Sequence, residues 1–268
     1  IVERVGHRRM LMFGVIVMIG VSALLAFLST TEQIQLWHIG IGAFVSGMFW
    51  VLDFPVRKTL LGGAVDAGSI GHAMSLDTVT NNGTRMLGPI LGGVFLQWVG
   101  LTGVYGFAAM AYVLALLWTI SLRPKTRSPR HSDYGVFSAI TRSLSLLKSR
   151  PLLAGVLMVT AVFNLWGFPF VSMIPVIGKE TLGLNSFHVG LLMSAEGCGA
   201  LVGALLIVGV GQVRYYRRLY ICGISLYLVV AVIFSQVTFS AGAAVCLLLV
   251  GLGVAAFAAM QSTLILLK

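Results

Sequence analysis

The sequence predicts an all-α fold, a polytopic membrane helical bundle, and three observations carry that expectation. Seven apolar stretches have the length of a membrane span, and a span needs roughly 20 predominantly apolar residues to cross the hydrocarbon. Of the 268 residues 58% are hydrophobic and only 10% charged, with a mean hydropathy of +0.97; that leaves too little polar surface to cover a water-soluble core. Nearly every Lys and Arg falls in alternate gaps between the apolar stretches. Lipid cannot satisfy backbone N–H and C=O groups, so spans are helices or closed barrels, and these runs lack the period-two alternation of barrel strands.

Taken in order, spans are expected near residues 10 to 28, 34 to 54, 101 to 122, 151 to 177, 186 to 210, 218 to 236 and 240 to 267, with an eighth, more polar one at 72 to 98. The basic opening Glu3-Arg4-Val5-Gly6-His7-Arg8-Arg9 precedes the first of them. If that end is cytoplasmic, sixteen of the eighteen basic residues fall on the same side, leaving Lys179 outside and Arg85 within a span; this is the positive-inside pattern. The net charge of +10 is therefore spread over juxtamembrane loops without a nucleic-acid-binding motif around it, and no nucleic-acid partner is expected. Such charges set topology and meet anionic lipid.

The stretch from 123 to 150 reads as a cytoplasmic linker. Arg123-Pro124-Lys125-Thr126-Arg127-Ser128-Pro129-Arg130 is too polar and proline-broken to span, and Tyr134, Phe137, Ile140, Leu144 and Leu147 then follow at the spacing of an interfacial amphipathic helix. It divides the chain into an N-terminal half at 1–122 and a C-terminal half at 151–268, each with four spans. A faint repeat relates them: Arg8-Arg9-Met10-Leu11 and Arg217-Arg218-Leu219-Tyr220 each enter a span that returns after a short outer loop. Parallel halves of this kind are a transporter architecture, although any inner loop can carry an arginine pair. Cys198, Cys222 and Cys246 all lie inside expected spans and read as small packing residues, with no disulfide, metal or cofactor framework. Ile1 at one end and Lys268 directly after Leu264-Ile265-Leu266-Leu267 at the other read as the ends of a fragment.

Three motifs resemble those of the major facilitator superfamily. The opening Glu3 to Arg9 is similar to the end of the Asp-Arg-x-Gly-Arg-Arg loop between its second and third spans, with Glu in place of Asp and His7 in place of an Arg. Asn82-Gly83-Thr84-Arg85-Met86-Leu87-Gly88-Pro89-Ile90-Leu91-Gly92-Gly93 resembles the fifth-span Gly-Pro-x-x-Gly-Gly signature of its exporters. Phe54-Pro55-Val56-Arg57 resembles the Pro-Ala-Arg of the branch that includes enterobactin and macrolide exporters. The resemblance implies spans three to ten of twelve, with about two more on either side, in a multi-pass protein of the bacterial inner membrane. It also implies alternating access between two halves and export in exchange for protons.

The residues suggest how such a carrier works. Gly88 and Gly92 stand four apart and share a helix face that admits a neighbouring backbone, and Pro89 bends the helix between them. With Gly93 they are expected to seal the outer half of the bundle, against Ser194, Gly197, Ala200 and Ala204. Charges inside spans usually face protein or a water path. Arg85 and Glu196 lie at one depth, roughly 20 Å above the inner ends of their spans at 1.5 Å per residue, and are expected to pair. Glu196 then either carries a proton, with Arg85 favouring its charged form, or holds a permanent ion pair. Asp77 is the second proton-coupling candidate, or else a carboxylate at a helix start. Glu3, Arg8, Asp53 and Arg57 sit near the inner surface as a clasp that breaks when the inner side opens, unless they are simply solvated.

For the substrate path, Asn164, Trp166, Phe168, Phe170 and Met173 offer one polar group amid apolar surface in a span interrupted by Gly167 and Pro169, though such a stripe also suits core or lipid-facing packing. Trp37, Trp98 and His38 read as interface residues. Asn82-Gly83-Thr84 lies within an expected span, and no Ser-His-Asp, metal-ligand or phosphate-loop spacing is present. The expected function is a proton-driven exporter of hydrophobic drugs, siderophores or similar solutes. Its partners are a small-molecule substrate, protons and the bilayer, and it works as a monomer. Two alternatives stand beside it: a polytopic membrane enzyme acting on lipids, which would need clustered His, Asp or Glu at one interface, and a non-transporting membrane scaffold or sensor, against which Arg85 and Glu196 at mid-depth argue without excluding it.

Overall fold

A computed structural model of the protein describes residues 7–66, 69–121, 151–167, 169–208 and 216–266. All the regular structure among them is helical: α1 (His7–Thr30), α2 (Leu36–Ala64), α3 (Ile70–Trp98), α4 (Gly100–Ser121), α5 (Pro151–Val162), α6 (Pro169–Val176), α7 (Ser186–Val208), α8 (Tyr216–Phe234) and α9 (Ser240–Leu266). Seven stretches are long and apolar enough to cross a membrane, one in each of α1, α2, α4, α7, α8 and α9 and one running from Ala154 to Thr181 through α5 and α6. The all-α class and the multi-pass membrane character follow directly. The linker at 123–150, Glu3 and Phe168 lie outside the described residues.

Two boundaries differ from the sequence expectation. The span expected to close at Phe54-Pro55 continues to Ala64, with Pro55 inside the helix. A proline removes one backbone donor, and here the chain tolerates that loss for two further turns, which carry Arg57 and Lys58. The expected eighth span, α3, is a helix of 29 residues, about 44 Å long at 1.5 Å per residue. It has the length to span but is not among the seven apolar stretches, because Asp77, Asn81, Asn82 and Arg85 interrupt it.

Between α5 and α6, residues Phe163–Gly167 form a π-helical turn, and Ile177–Thr181 form a second one after α6. Pro169 has no N–H to offer the preceding turn and Pro175 has none to offer its own, so the ladder widens locally. The Leu182 N–H donates to the Ile177 carbonyl at 3.0 Å, five residues back. The Gly167 carbonyl at the first turn accepts from the Tyr227 hydroxyl at 2.6 Å.

The described residues cluster into two compact units, one from residues up to Thr78 together with the end of α3 from Phe95 and α4, the other from Val79–Val94 and α5 to α9. In the first, α1 packs against α4 and α2, burying Val15, Met18 and Leu25. The Thr102 hydroxyl donates to Ser29 across α4 and α1 at 3.0 Å.

In the second unit α9 is the central rod, packed on α7 and on α8. A Cβ built on Gly203 would meet Leu252 Cα and O at 3.2 Å, and one on Gly223 would meet Phe257 N at 2.8 Å. Gly199 and Gly251 are closer still to Leu248 O and Glu196 O respectively. Small residues that let backbones touch are how helices associate in lipid, where apolar burial alone gives no advantage. Tyr227, Phe234, Ile174, Leu247 and Val250 fill the remaining core.

Candidate functional site

Within the second unit the middle of α3 lies against α7. Arg85 Nη2 donates to Glu196 Oε1 at 2.5 Å; the Glu196 side chain is only 9% exposed, the Arg85 side chain 37%. Glu196 is held from behind, because Gly251 of α9 closes on its carbonyl. A charge so deeply buried is costly without a partner, and Arg85 is the partner the fold supplies.

Backbone contact between the same two helices runs along one edge. A Cβ on Gly197 would meet Arg85 C and O and Met86 N at 2.7 Å; one on Gly93 would meet Ser186 O at 2.6 Å, and Gly190 sits directly on Pro89 O. The partner helix is the expected one and Ser194, Gly197 and Ala200 on it are buried. The touching face of α3 is not the expected one. Gly88 and Gly92 have nothing within 4 Å of a built Cβ, so the seam is Arg85, Pro89 and Gly93. A shift of one residue turns a helix by about 100°, which takes Gly88 and Gly92 off the seam.

In the first unit Arg57 stands between two carboxylates. Its Nη1 lies 3.2 Å from Asp77 Oδ1 and its Nε 3.8 Å from Asp53 Oδ2. Asp77 is the more buried of the two acids, 8% exposed against 25% for Asp53, and Arg57 Nε is buried with no hydrogen-bond partner among the described residues. Asp77 therefore pairs with Arg57. Arg8 is elsewhere: its guanidinium donates to the carbonyls of Thr119 at 3.3 Å and Ile120 at 2.5 Å, in the last turn of α4, where a helix offers carbonyls without intrahelical partners. Of the four residues expected to form a clasp, the structure brings Asp53 and Arg57 together, with Asp77 beside them; Arg8 bonds to α4, and Glu3 lies outside the described residues.

The described substrate-path residues, Asn164, Trp166, Phe170 and Met173, are not brought together around one cavity. The Asn164 amide donates to Thr160 O at 2.9 Å within its own helix, Trp166 and Met173 are exposed, and Phe170 packs edge-on against Tyr227 and Phe234 at 6.0 and 5.4 Å. Phe168 is not described. A cavity appears instead between α1 and α2, where Met10, Phe13, Val17, Val45, Met48 and Asp53 help line about 410 Å³. The sequence marks it only faintly, through Gly14, which leaves room for the Phe49 ring. Among the described residues no group of three or more His, Cys, Asp or Glu side chains is placed to hold a metal.

Comparison with known proteins agrees with this architecture. The sequence model of a family described as transmembrane secretion effector matches residues 1–267. A curated relative, the transcription regulatory protein OpdE of Pseudomonas aeruginosa, is 23% identical over 213 residues, covering 80% of this chain and 51% of that protein. The chain thus spans about half the length of that relative.

Proposed function

Since this chain belongs to the transmembrane secretion effector family of the major facilitator superfamily, we propose that it is the membrane-embedded part of a proton-coupled exporter of hydrophobic small molecules, drugs or siderophores among them, in a bacterial inner membrane. The observation that carries this reading is the Arg85–Glu196 pair at the seam of α3 and α7. Ionisable groups within membrane-depth helices mark ion or substrate paths, and in this reading a carboxylate that is 9% exposed and bonded to one arginine is the group that takes up and releases the coupling proton. The Pro89–Gly93 seam supports a sliding contact, since backbone meets backbone there with no side chains to interdigitate. In this reading α3 crosses the membrane as an eighth span with its polar groups turned to protein. Asp53, Arg57 and Asp77 form the inner clasp, and the resemblance to the enterobactin and macrolide branch supports export and not uptake. The carrier works as a monomer.

The test is export from proteoliposomes carrying the full-length protein under an imposed pH gradient. Glu196→Gln fixes the side chain in a neutral, hydrogen-bonding form, so gradient-driven export should fall at least tenfold while downhill exchange of substrate persists. Export by Glu196→Gln with unchanged proton stoichiometry would rule the carrier role out and leave a structural ion pair.

A further inference from the structure

The Tyr227 hydroxyl has one proton to donate, and two acceptors compete for it. In this structure it donates to the Gly167 carbonyl at 2.6 Å, at the end of the π turn Phe163–Gly167. The Tyr227 side chain, 1% exposed, grips that turn by both buried ends, since the Phe163 ring lies edge-on against it at 4.8 Å and a Cβ on Gly167 would meet Phe163 at 2.9 Å. Pro169 just beyond offers the turn no N–H, so the bond from Tyr227 makes up for a donor the ladder lacks. The second acceptor is the Glu196 carboxylate. Two glycines of α9, about 3 Å apart along the axis at 1.5 Å per residue, touch the two residues: Gly251 closes on Glu196 O, and a Cβ on Gly253 would lie 3.1 Å from Tyr227 N. Glu196 and Tyr227 therefore sit at one depth of α9, and Glu196 is the charge that acts on the Tyr227 hydroxyl. α9 and residues 151–177 contain no Asp, Glu, His, Lys or Arg. On α7 and α8 the nearest such groups, His188 and Arg218, are two turns or more away. That leaves Glu196 with Arg85 from α3 and Tyr227 from α8.

We propose that Tyr227 is a positioning residue for the proton step: it holds the Gly167 carbonyl while Arg85 holds Glu196, and turns to the Glu196 carboxylate when Arg85 withdraws. A hydrogen bond to a charged acceptor is roughly twice as strong as one to a neutral carbonyl, and a buried carboxylate without a partner is costly. The single proton therefore goes to Glu196 once that charge is unpaired. Gly167 then loses its bond, and the π turn loosens. Phe163 and Gly167 are the buried ends of that turn, while Asn164, Leu165 and Trp166 between them are exposed, so the loosening moves the polar and aromatic side chains expected on the substrate path. Rupture of the ion pair at the α3–α7 seam is thereby felt in a different span. The purpose of this link rests on the proton-coupled reading, but the change of partner is measured without transport.

The experiment is hydrogen exchange, read by mass spectrometry on the full-length protein in lipid nanodiscs, at 163–167 and at the second π turn, 177–181, as a control in the same span. Arg85→Ala, a change on α3, should speed exchange at 163–167 at least fivefold and leave 177–181 within twofold of the unmodified protein. Adding Glu196→Gln removes the charge that claims the hydroxyl and should restore the slow rate. In a Tyr227→Phe background, where Gly167 has no such bond to lose, Arg85→Ala should change exchange at 163–167 less than twofold. Arg85→Met, which keeps the aliphatic length of the side chain, carries the same expectations if Arg85→Ala does not fold. Exchange at 163–167 unchanged by loss of the guanidinium, equal acceleration at both turns, or effects of Arg85→Ala and Tyr227→Phe that multiply would each overturn the link. The full pattern in a protein that exports nothing would sink the transport reading and leave the link standing; its absence in a protein whose gradient-driven export needs Glu196 would sink the link alone.

Discussion

Two helical hairpins of this molecule have nearly the same plan and close differently. α1 and α2 are joined across residues 31–35, α8 and α9 across residues 235–239, and each hairpin opens on an arginine pair, Arg8-Arg9 or Arg217-Arg218. In the second, glycine meets backbone: a Cβ on Gly253 would lie 2.7 Å from Gly223 O and 3.1 Å from Tyr227 N. In the first, Gly42 and Gly14 meet only side chains, those of Leu25 and Val21 and of Phe49, while Gly40 and Gly47 meet nothing within 4 Å. Equal connections therefore do not give equal packing. In lipid, where apolar surface gains little by burial, the register of small residues decides whether two helices touch or leave a cavity.

The largest effect should come from the tight side. Arg85→Ala leaves Glu196, 9% exposed and backed by Gly251, without its partner; stranding a buried charge costs about 3–5 kcal/mol. Unfolding in detergent, followed by tryptophan fluorescence against denaturant, should register that loss, and adding Glu196→Gln should recover most of it. On the loose side Asp53→Asn removes a 3.8 Å contact between partly exposed groups, worth about 0–1 kcal/mol. If the two losses came out equal, the contrast between the regions would fail.

Next in size is Gly223→Val, which forces a branched side chain into Phe257 N and Gly253 O. Overpacking of this kind costs about 1–3 kcal/mol, and cross-linking between cysteines placed on α8 and α9 should slow as the helices separate. Tyr227→Phe follows. It removes the hydroxyl that donates to Gly167 O, and a buried carbonyl left unsatisfied costs about 1–3 kcal/mol. Faster hydrogen exchange confined to 163–167 would place that loss at the π turn, and unchanged exchange would show that the widened turn holds itself.

Much of this is legible in the sequence. Run lengths and hydropathy locate the helices, because a bilayer imposes both, and counting residues from the inner ends brings Arg85 and Glu196 to one depth. Three features resist such reading. Gly-Pro-x-x-Gly-Gly contains two four-residue spacings, Gly88 to Gly92 and Pro89 to Gly93, and only the partner's Gly190 and Gly197 select the second. The Arg57–Asp77 contact depends on how the chain turns between α2 and α3, which no periodicity encodes. The cavity between α1 and α2 is lined by the same Val, Met and Phe that elsewhere fill a core, so composition does not distinguish a wall from a filling.

The smallest effect tests the loose side from within. Gly47 lies in the interior of α2 with nothing within 4 Å of a built Cβ, so Gly47→Ala meets no obstacle. Glycine in a helix interior is less stable than alanine by roughly 0.5–1 kcal/mol because it loses more backbone freedom on folding, and the substitution should therefore stabilise by about that amount. The sign is the informative part. A gain, read as a rise in the denaturation midpoint at constant slope, means that face of α2 is open in the folded protein. A loss of similar size in the full-length protein would mean another helix lies against Gly47 at backbone distance, and the first hairpin would then be closed from outside and not loose at all.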